Sequence, residues 1–571
     1  MAYEKHWANN DKINATEKQK LKMDGLEIFQ KIPEYARSGF ASIPKEEWPM
    51  FKWAGLYLQR PREEGYFMMR VCIPSGILNY DQVVTLAGIA RDYGRGIYDI
   101  TTRQAVQFHW LRIEDIPDIF ERLKRVGLST AGACGDITRN IVGNPLAGID
   151  PDELLDTTPI VREVYETFQH NPDFSNLPRK YKVSISANQK NASNAEINCV
   201  AFTPAVKTID GEEVKGFHVK VGGGLSSRPY LAETLDLFIR PEEVKKVTVA
   251  ITTIFRDYGY REKRTRNRLK FLMADWGPER FKEKVLEYTG PLPTKGTDML
   301  TDWNAGYFYG VHPQKQEGLN YIGLNVPMGR LTADEVLELA RVSNKYGNGE
   351  IRNCSSQNLV IPHVPDDQVE TLLQEEIFKR ISVDPPKFIG YAVSCTGIEY
   401  CNLALVETKE RMRKIAEFLD KQVEVDVPVR IHMVGCPNSC GQRQIADIGL
   451  QGIKMKSKET KELVDAFEIH VGGTLKQGGE FNRKLKGKID SQHLPAVLKQ
   501  FLLHFKEQKQ PEESFHSFVH RVGVDKLQQV LDESEIHRLP CHRPGDRGRG
   551  AAGHAGATFP SDEQPRWFWR E

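Results

Sequence analysis

The chain repeats itself, and a repeat of domain size restricts the architecture before any single residue is interpreted. Pro74-Ser75-Gly76-Ile77-Leu78 aligns with Pro327-Met328-Gly329-Arg330-Leu331, and the register, 253 residues from Pro74 to Pro327, holds without a gap to Gln104 and Gln357. Pro74, Gly76, Leu78, Asp81, Val83, Leu86, Ala87, Tyr93, Gly94, Gly96 and Gln104 all recur. Each copy reads as an apolar strand, a helix (81–93 and 334–346), a Gly-x-Gly turn and a second strand, with another helix after it. That is the pattern of a ferredoxin-like unit. A second echo, Phe217 to Leu225 against Phe467 to Leu475, is an alternating strand that ends in glycines able to turn tightly beside a ligand. Two homologous halves follow, with a ligand expected at their seam.

The halves differ where chemistry is concentrated. The first has Thr101-Thr102-Arg103-Gln104, whereas the second has Ser355-Ser356 before Gln357, so Arg103 has no counterpart. The second half carries four clustered cysteines: Cys395 and Cys401 in Ser-Cys-Thr-Gly-Ile-Glu-Tyr-Cys, and Cys436 and Cys440 in Gly-Cys-Pro-Asn-Ser-Cys-Gly. Two short clusters on converging loops suit a cubane iron-sulfur cluster, which takes one thiolate per iron. Structural zinc, which favours pairs separated by two to four residues, is the competing reading. Disulfides fit less well, because the remaining cysteines are scattered and the polar start, Met1 to Lys22, has no apolar core of a secretory leader.

No stretch approaches the ~20 apolar residues of a membrane span, so a cytoplasmic protein is expected. A formal net charge of +1 argues against a general nucleic-acid binder. Gly222-Gly223-Gly224 lacks the spacing and following helix of a dinucleotide fingerprint, so electrons are expected from a partner protein.

Taken together, the motifs resemble one family. Cys-Thr-Gly-x-x-Tyr-Cys followed by Glu407-Thr408-Lys409, and Gly-Cys-Pro-Asn-Ser-Cys-Gly-Gln followed by Ala446-Asp447-Ile448-Gly449, look like the sirohaem and 4Fe-4S nitrite and sulfite reductases. Thr101 to Gln104, Gly143-Asn144-Pro145 and Leu177-Pro178-Arg179-Lys180 support the match, which covers about residues 30 to 535. The resemblance implies sirohaem and a 4Fe-4S cluster held by Cys395, Cys401, Cys436 and Cys440, the last bridging to the haem iron. It implies a small oxyanion substrate handled by Arg70, Arg139, Lys180 and Lys182. Arg103, Gln104, Arg179, Asn438 and Cys440 are assigned to the cofactors, Arg103 to the carboxylates of sirohaem, which carries eight acid side chains. Ferredoxin or a similar small donor is implied, and the basic run Lys454, Lys456, Lys458 and Lys461 with Lys484, Lys486 and Lys488 is a candidate dock.

Within the family, Lys180-Tyr181-Lys182 resembles the Lys-x-Lys of the sulfite branch, where the nitrite branch shows Lys-x-Asn. An extra cation suits a partly doubly charged anion, so reduction of sulfite to sulfide is the expected activity. Nitrite to ammonia is the alternative, favoured by the wording of Gly143 to Pro151 and of the first cysteine motif. A non-catalytic iron-sulfur electron carrier is a remote third, since it has no use for convergent cations. Tyr57 and Cys134 are candidates to approach the substrate face in the sulfite branch.

The expected fold class is α+β and internally duplicated. Residues 30–125 and 300–380 form two ferredoxin-like units of one composite domain, flanked by a sirohaem and substrate domain (126–295) and a cluster domain (385–535). Residues 1–29 read as an extension. From 539 to 571 a Pro, Gly, Arg and Ala-rich composition reads as a disordered tail, and His537, Cys541, His542 and His554 there lack the spacing of a metal site.

Overall fold

A computed structural model describes residues 12–457 and 461–534. The tail from 539, its histidines and Cys541, and Lys458 lie outside the described residues.

The repeat is structural down to individual backbone angles. The two equivalent helices, Tyr80–Tyr93 and Ala333–Tyr346, both begin with a capping box, Asn79 with Gln82 and Thr332 with Glu335. Such reciprocal bonds satisfy amides that the helix leaves open. Non-glycine residues forced to positive φ recur at the same 253-residue offset: Ser75 and Met328, Gln104 and Gln357, Trp110 and His363. The two helices pack on each other within one apolar core drawn from both copies, with Leu86, Ala90, Leu339 and Val342 buried in it.

The two ferredoxin-like sheets exchange strands. One runs through Leu56–Leu58, Phe67–Val71, Val106–Leu111 and Ile97–Ile100, and is completed by Arg330–Thr332 from the other half. The reciprocal sheet, Gly310–Pro313, Leu319–Leu324, Leu359–Pro365 and Ile351–Asn353, is completed by Ile77–Leu78. Each half thus covers the sheet edge that the other would leave open. The exchange is fixed by Arg330, whose Nε and Nη2 each donate to Asp99 at 2.8 Å across the swapped pair.

Each half continues into a mixed six-stranded sheet. In the first, Val142–Gly143, Val183–Ile185 and Val200–Ile209 are parallel neighbours; in the second, Ala392–Ser394, Ile431–Val434 and Ile448–Lys456 are. Loops at the carboxyl ends of such strands are where α/β folds bind ligands.

Two corrections to the sequence reading emerge. Gln104 does not face a cofactor. It is fully buried, its Nε2 lies 3.1 Å from the carbonyls of Ser75, Gly143 and Asn353, and its Oε1 accepts the Gly143 N–H at 3.0 Å. Its repeat partner Gln357 bonds the Ile100 carbonyl and the Ser394 N–H in the same way. The recurring glutamine extends the edge of each cofactor-domain sheet, so its bonding capacity is consumed joining domains.

The described part of the N-terminal segment is no loose extension either. Helix Ala15–Lys22 buries Glu17 and Lys20, with Arg261 on Glu17 at 2.6 Å and Lys20 donating to the Leu177 carbonyl at 2.8 Å. Its charges look like surface in the sequence, but they are buried because they are paired. Among the described residues no helix is long and apolar enough to cross a membrane.

Gln104→Leu would leave the Gly143 amide buried without a partner, a loss of about 2–3 kcal/mol. Denaturant unfolding should show it as a clear fall in midpoint; a change under ~0.5 kcal/mol would remove Gln104 from this role.

Candidate active site

Cys395 and Cys436 directly extend two adjacent parallel strands, Ala392–Ser394 and Ile431–Val434, so the sheet delivers both cysteine loops to one place. The Gly435 N–H donates to Cys395 Sγ at 3.2 Å, and Thr408 Oγ1 donates to the Cys395 carbonyl. Gly397 takes φ +78°, and a Cβ there would collide with Thr408, so this turn requires glycine. Burial raises the Cys395 thiol to about 12 and the Cys436 thiol to about 11, with Cys440 adding to both. Cys401 is raised for the same reasons. Such thiols give up their protons when a metal takes their place.

Cys440 stands apart as the exposed member of the four. It acts electrostatically on the other three thiols and also on Arg70 and Lys180, so it sits where the cysteine loops meet a second, cationic surface. The Thr101 to Gln104 turn holds it there, with Thr102 Oγ1 donating to the Cys440 carbonyl at 3.0 Å and Gln442 Nε2 donating to the Thr102 carbonyl at 3.4 Å.

The cationic surface is assembled from three segments. Arg70 comes from strand Phe67–Val71, donates to Gln107 Oε1 at 3.0 and 2.5 Å, and reaches the Ala133 carbonyl and Cys134 Sγ. Gln107 in turn donates to Thr396 in the first cysteine loop. Arg139 follows a loop whose backbone pairs with Tyr181, which places it beside Lys180 and Lys182. Arg103 donates to Asn198 and to the carbonyls of Asn140 and Val183. Arg268, missed in the sequence, completes the group with a contact to Cys199 at 3.4 Å. Among the described residues none of Arg70, Arg103, Arg139, Lys180, Lys182 and Arg268 has a carboxylate partner.

That imbalance appears in the side-chain acidities. Burial first, then Arg268, lowers Lys180 to about 7. Burial, Arg103 and Lys180 push Lys182 well below the ordinary lysine value, and burial brings Arg103 down to about 9. A cluster of cations turned toward one another is stable only with a polyanion among them. Tyr57 and Cys134 join this surface: burial, then Cys134, raises the Tyr57 phenol to about 12, with Arg139 and Arg70 beside it.

Other assignments are redistributed. Arg179 is taken up by Asp136, which also binds Arg264 at 2.6 Å and Lys20 at 3.6 Å. Asn438 acts on the Cys436 thiol within the same loop, offsetting part of the rise that burial gives it. In the basic run, Lys454 is paired with Asp465 and Lys484 with Glu468. That leaves a mixed surface in place of a purely basic one.

Pseudo-symmetry also shows what replaces the cysteines in the first half. Positive φ at Asn191 and Asn194 matches Ser439 and Gln442, and the 3-10 turns Ala195–Ile197 and Arg443–Ile445 keep that register. Cys436 therefore corresponds to Asn188. The Gly143 and Ser394 amides, bound by the two glutamines, set Cys395 and Cys401 against Asn144 and Asp150. These three form a closed buried knot, with Asp150 Oδ2 accepting from Asn144 at 2.7 Å and Asn188 at 2.5 Å. The same register sets Lys182 against Arg430 and Cys199 against Asp447. Arg430 is held by Asp447 through bonds of 2.8 and 2.9 Å, whereas Lys182 faces a cysteine and keeps no counter-ion.

Residues 134–291 and 388–539 match the family model described as nitrite and sulphite reductase 4Fe-4S domain, and 59–126 and 312–376 match the nitrite/sulfite reductase ferredoxin-like half domain. The chain belongs to the nitrite and sulfite reductase family. Similar proteins include a ferredoxin–nitrite reductase of Synechococcus elongatus, 42% identical over 87% of this chain and 97% of that one. A sulfite reductase [ferredoxin] 1 of Mycolicibacterium paratuberculosis is 35% identical over 92% and 98%. The solved structure of the Mycobacterium tuberculosis NirA protein superposes with a TM-score of 0.85 at 34% identity, covering 90% of this chain and 97% of that one.

The family's cofactors are sirohaem and a 4Fe-4S cluster, and the residues present fit both. Four thiols converge on loops at the ends of adjacent strands, and beside Cys440 lies a cationic surface lacking the carboxylates that sirohaem supplies.

Asp136 holds the floor of this surface together. Burial alone would raise its carboxyl, but Lys20 and Arg264 hold it far below the ordinary range. Its contribution is complete above about pH 4 and is lost as pH falls through the lowered folded value. Asp136→Asn should cost about 3–5 kcal/mol at pH 7 by stranding buried cations, and should flatten stability against pH below pH 4. An acid limb unchanged from wild type would contradict this.

Proposed function

We propose that this oxidoreductase reduces sulfite to sulfide, taking six electrons singly from a ferredoxin-type donor. The observation that carries the reading is the unpaired Lys182. At the equivalent place in the second half Asp447 pairs with the cation, and its replacement by Cys199 leaves Lys182 without a carboxylate, so that burial and its cationic neighbours disfavour its charge until an anion bound beside it restores that charge. A partly dianionic oxyanion gains more from that charge than singly charged nitrite does. The convergence of Tyr57 and Cys134 with Arg70 and Arg139 supports the same branch.

When bound, a cluster held by Cys395, Cys401, Cys436 and Cys440 and a sirohaem beside Cys440 would supply one-electron transfer to the substrate. This chain's residues do the remaining work. Arg70 and Arg139 offer fixed forks to oxyanion oxygens. Lys180, brought to about 7 by burial and Arg268, is poised to release a proton near neutral pH as each sulfite oxygen leaves as water. Lys182 holds the second negative charge. Gln107 keeps the Arg70 guanidinium aimed while linking it to the first cysteine loop.

A second reading, six-electron reduction of nitrite to ammonia, is supported by the name of the Synechococcus relative. The two readings separate on one residue. In the fully loaded enzyme, Lys182→Met should lower kcat/KM for sulfite by about 10²-fold or more while changing that for nitrite less than tenfold, measured with a dye reductant. Equal losses for both anions, or none for sulfite, would overturn the sulfite reading.

For the donor, the pairing of Lys454 and Lys484 favours a dock directly over the cysteine loop. Leu403 and Leu405, 62% and 41% exposed, follow Cys401, and Arg60 donates to the Ala404 carbonyl beside them. An apolar pair edged by arginine suits a small acidic carrier. Leu403→Asp should slow ferredoxin-driven turnover at least tenfold and leave dye-driven turnover unchanged; parallel loss of both would refute this dock.

A further inference from the structure

Away from the cofactor surface, the short C-terminal helix Phe515–Val522 carries His516 and His520 one turn apart, which puts both rings on one face. Their centroids lie 4.8 Å apart. Glu480, from the turn after strand Leu463–Val471, closes the group, and one ligand atom from each of the three lies within 4.8 Å of the others. Among the described residues this is the one trio of histidine, cysteine or carboxylate groups gathered that tightly. The geometry points to a divalent transition-metal site, His516–His520–Glu480, of the nitrogen and oxygen donor class that zinc occupies.

Three features prepare it for an ion. His516 Nδ1 lies 2.9 Å from the Gly472 carbonyl, which can only accept, so Nδ1 carries the proton and Nε2 presents its lone pair. A backbone carbonyl fixing the far nitrogen is the usual support of a metal-binding histidine. Glu480 is held on a rigid turn, its N–H and carbonyl both bonded to Thr474 at 2.9 Å, so the carboxylate is presented by backbone and not by a free loop. His520 Nε2 already contacts Glu480 Oε2, and Arg483 takes the other oxygen at 2.7 Å.

The remaining step is small. Tetrahedral bonds of about 2.0–2.1 Å place ligand atoms about 3.3 Å apart, whereas here the three all lie within 4.8 Å of one another, so the group closes by side-chain adjustment while the His520–Glu480 contact opens. The ion would replace the proton shared between His520 and Glu480. Side-chain exposure of 52% for His520 and 34% for Glu480 leaves an entry path and room for water as the fourth ligand.

The location gives such an ion a consequence. Gly472 and Gly473 bond the carbonyls of Asp447 and Ala446, and Asn482 bonds those of Gln444 and Arg443, in the segment immediately after Cys440. A metal bridging the helix and the Glu480 turn clamps the outer layer of the cluster domain onto the backbone that carries its last cysteine. The role is positional, with no part in electron transfer.

The test uses full-length, fully loaded enzyme dialysed against Zn²⁺ at pH 7.5, with bound zinc, iron and the visible spectrum measured together. Wild type should bind one zinc more than His516→Ala/His520→Ala, and Glu480→Gln should weaken that site at least tenfold, with iron and spectrum unchanged in all forms. Hydrogen exchange at 472–480 and 515–522 should slow on zinc addition in wild type and not in the variants. Equal zinc content and affinity in wild type and both variants would overturn the proposal, because any zinc would then be held elsewhere, as by the histidines and Cys541 near the C-terminus.

Discussion

Buried positive charge without counter-ions is the constraint around which this molecule is organised. Six cations, Arg70, Arg103, Arg139, Lys180, Lys182 and Arg268, are turned toward one another with no carboxylate partner among the described residues. The protein does neutralise its cations where no ligand is needed: Asp136 gathers Lys20, Arg179 and Arg264, Asp99 gathers Arg330, and Asp447 holds Arg430. The contrast locates the polyanion. Sirohaem, one of the family's two cofactors, would meet that requirement with its carboxylates and leave the remaining charge for an oxyanion.

Duplication supplies the frame in which this asymmetry can exist. The same backbone, repeated to the level of single φ angles, carries Cys395, Cys401 and Cys436 in one half and the hydrogen-bonded Asn144, Asp150 and Asn188 in the other. One half presents the four thiols that would hold the cluster, and the other closes the equivalent space and displays cations. Strand exchange and the paired glutamines lock the two together, so that Cys440 of the second half rests on Thr102 of the first.

Much of this was legible in the sequence because it depends on local pattern. The repeat and the cysteine loops are carried by residue type and spacing, and the roles of Arg70, Arg139, Lys180 and Lys182 are implied by the resemblance of their motifs to the family. What stayed hidden depends on partners distant in sequence. Gln104 lies in a site motif yet spends its amide on Gly143, and Arg268 stands in no motif at all. The strand exchange leaves no trace because the swapped strands, Ile77–Leu78 and Arg330–Thr332, are only two and three residues long and pair with strands of the other half. Glu17 and Lys20 read as surface and are buried, while Lys454 and Lys484 read as free and are paired. In each case the deciding fact is which distant group a residue faces, and sequence spacing does not encode it.

The central claim, that uncompensated cations hold a polycarboxylate tetrapyrrole, is tested most directly by its retention. Tetrapyrrole per chain and its release rate, read from absorbance and mass, should be compared between wild type and Arg103→Gln/Arg268→Gln. The account predicts one tightly held tetrapyrrole per wild-type chain and release at least tenfold faster, or loading well below one, in the variant. Equal loading and equal release in the two proteins would contradict it.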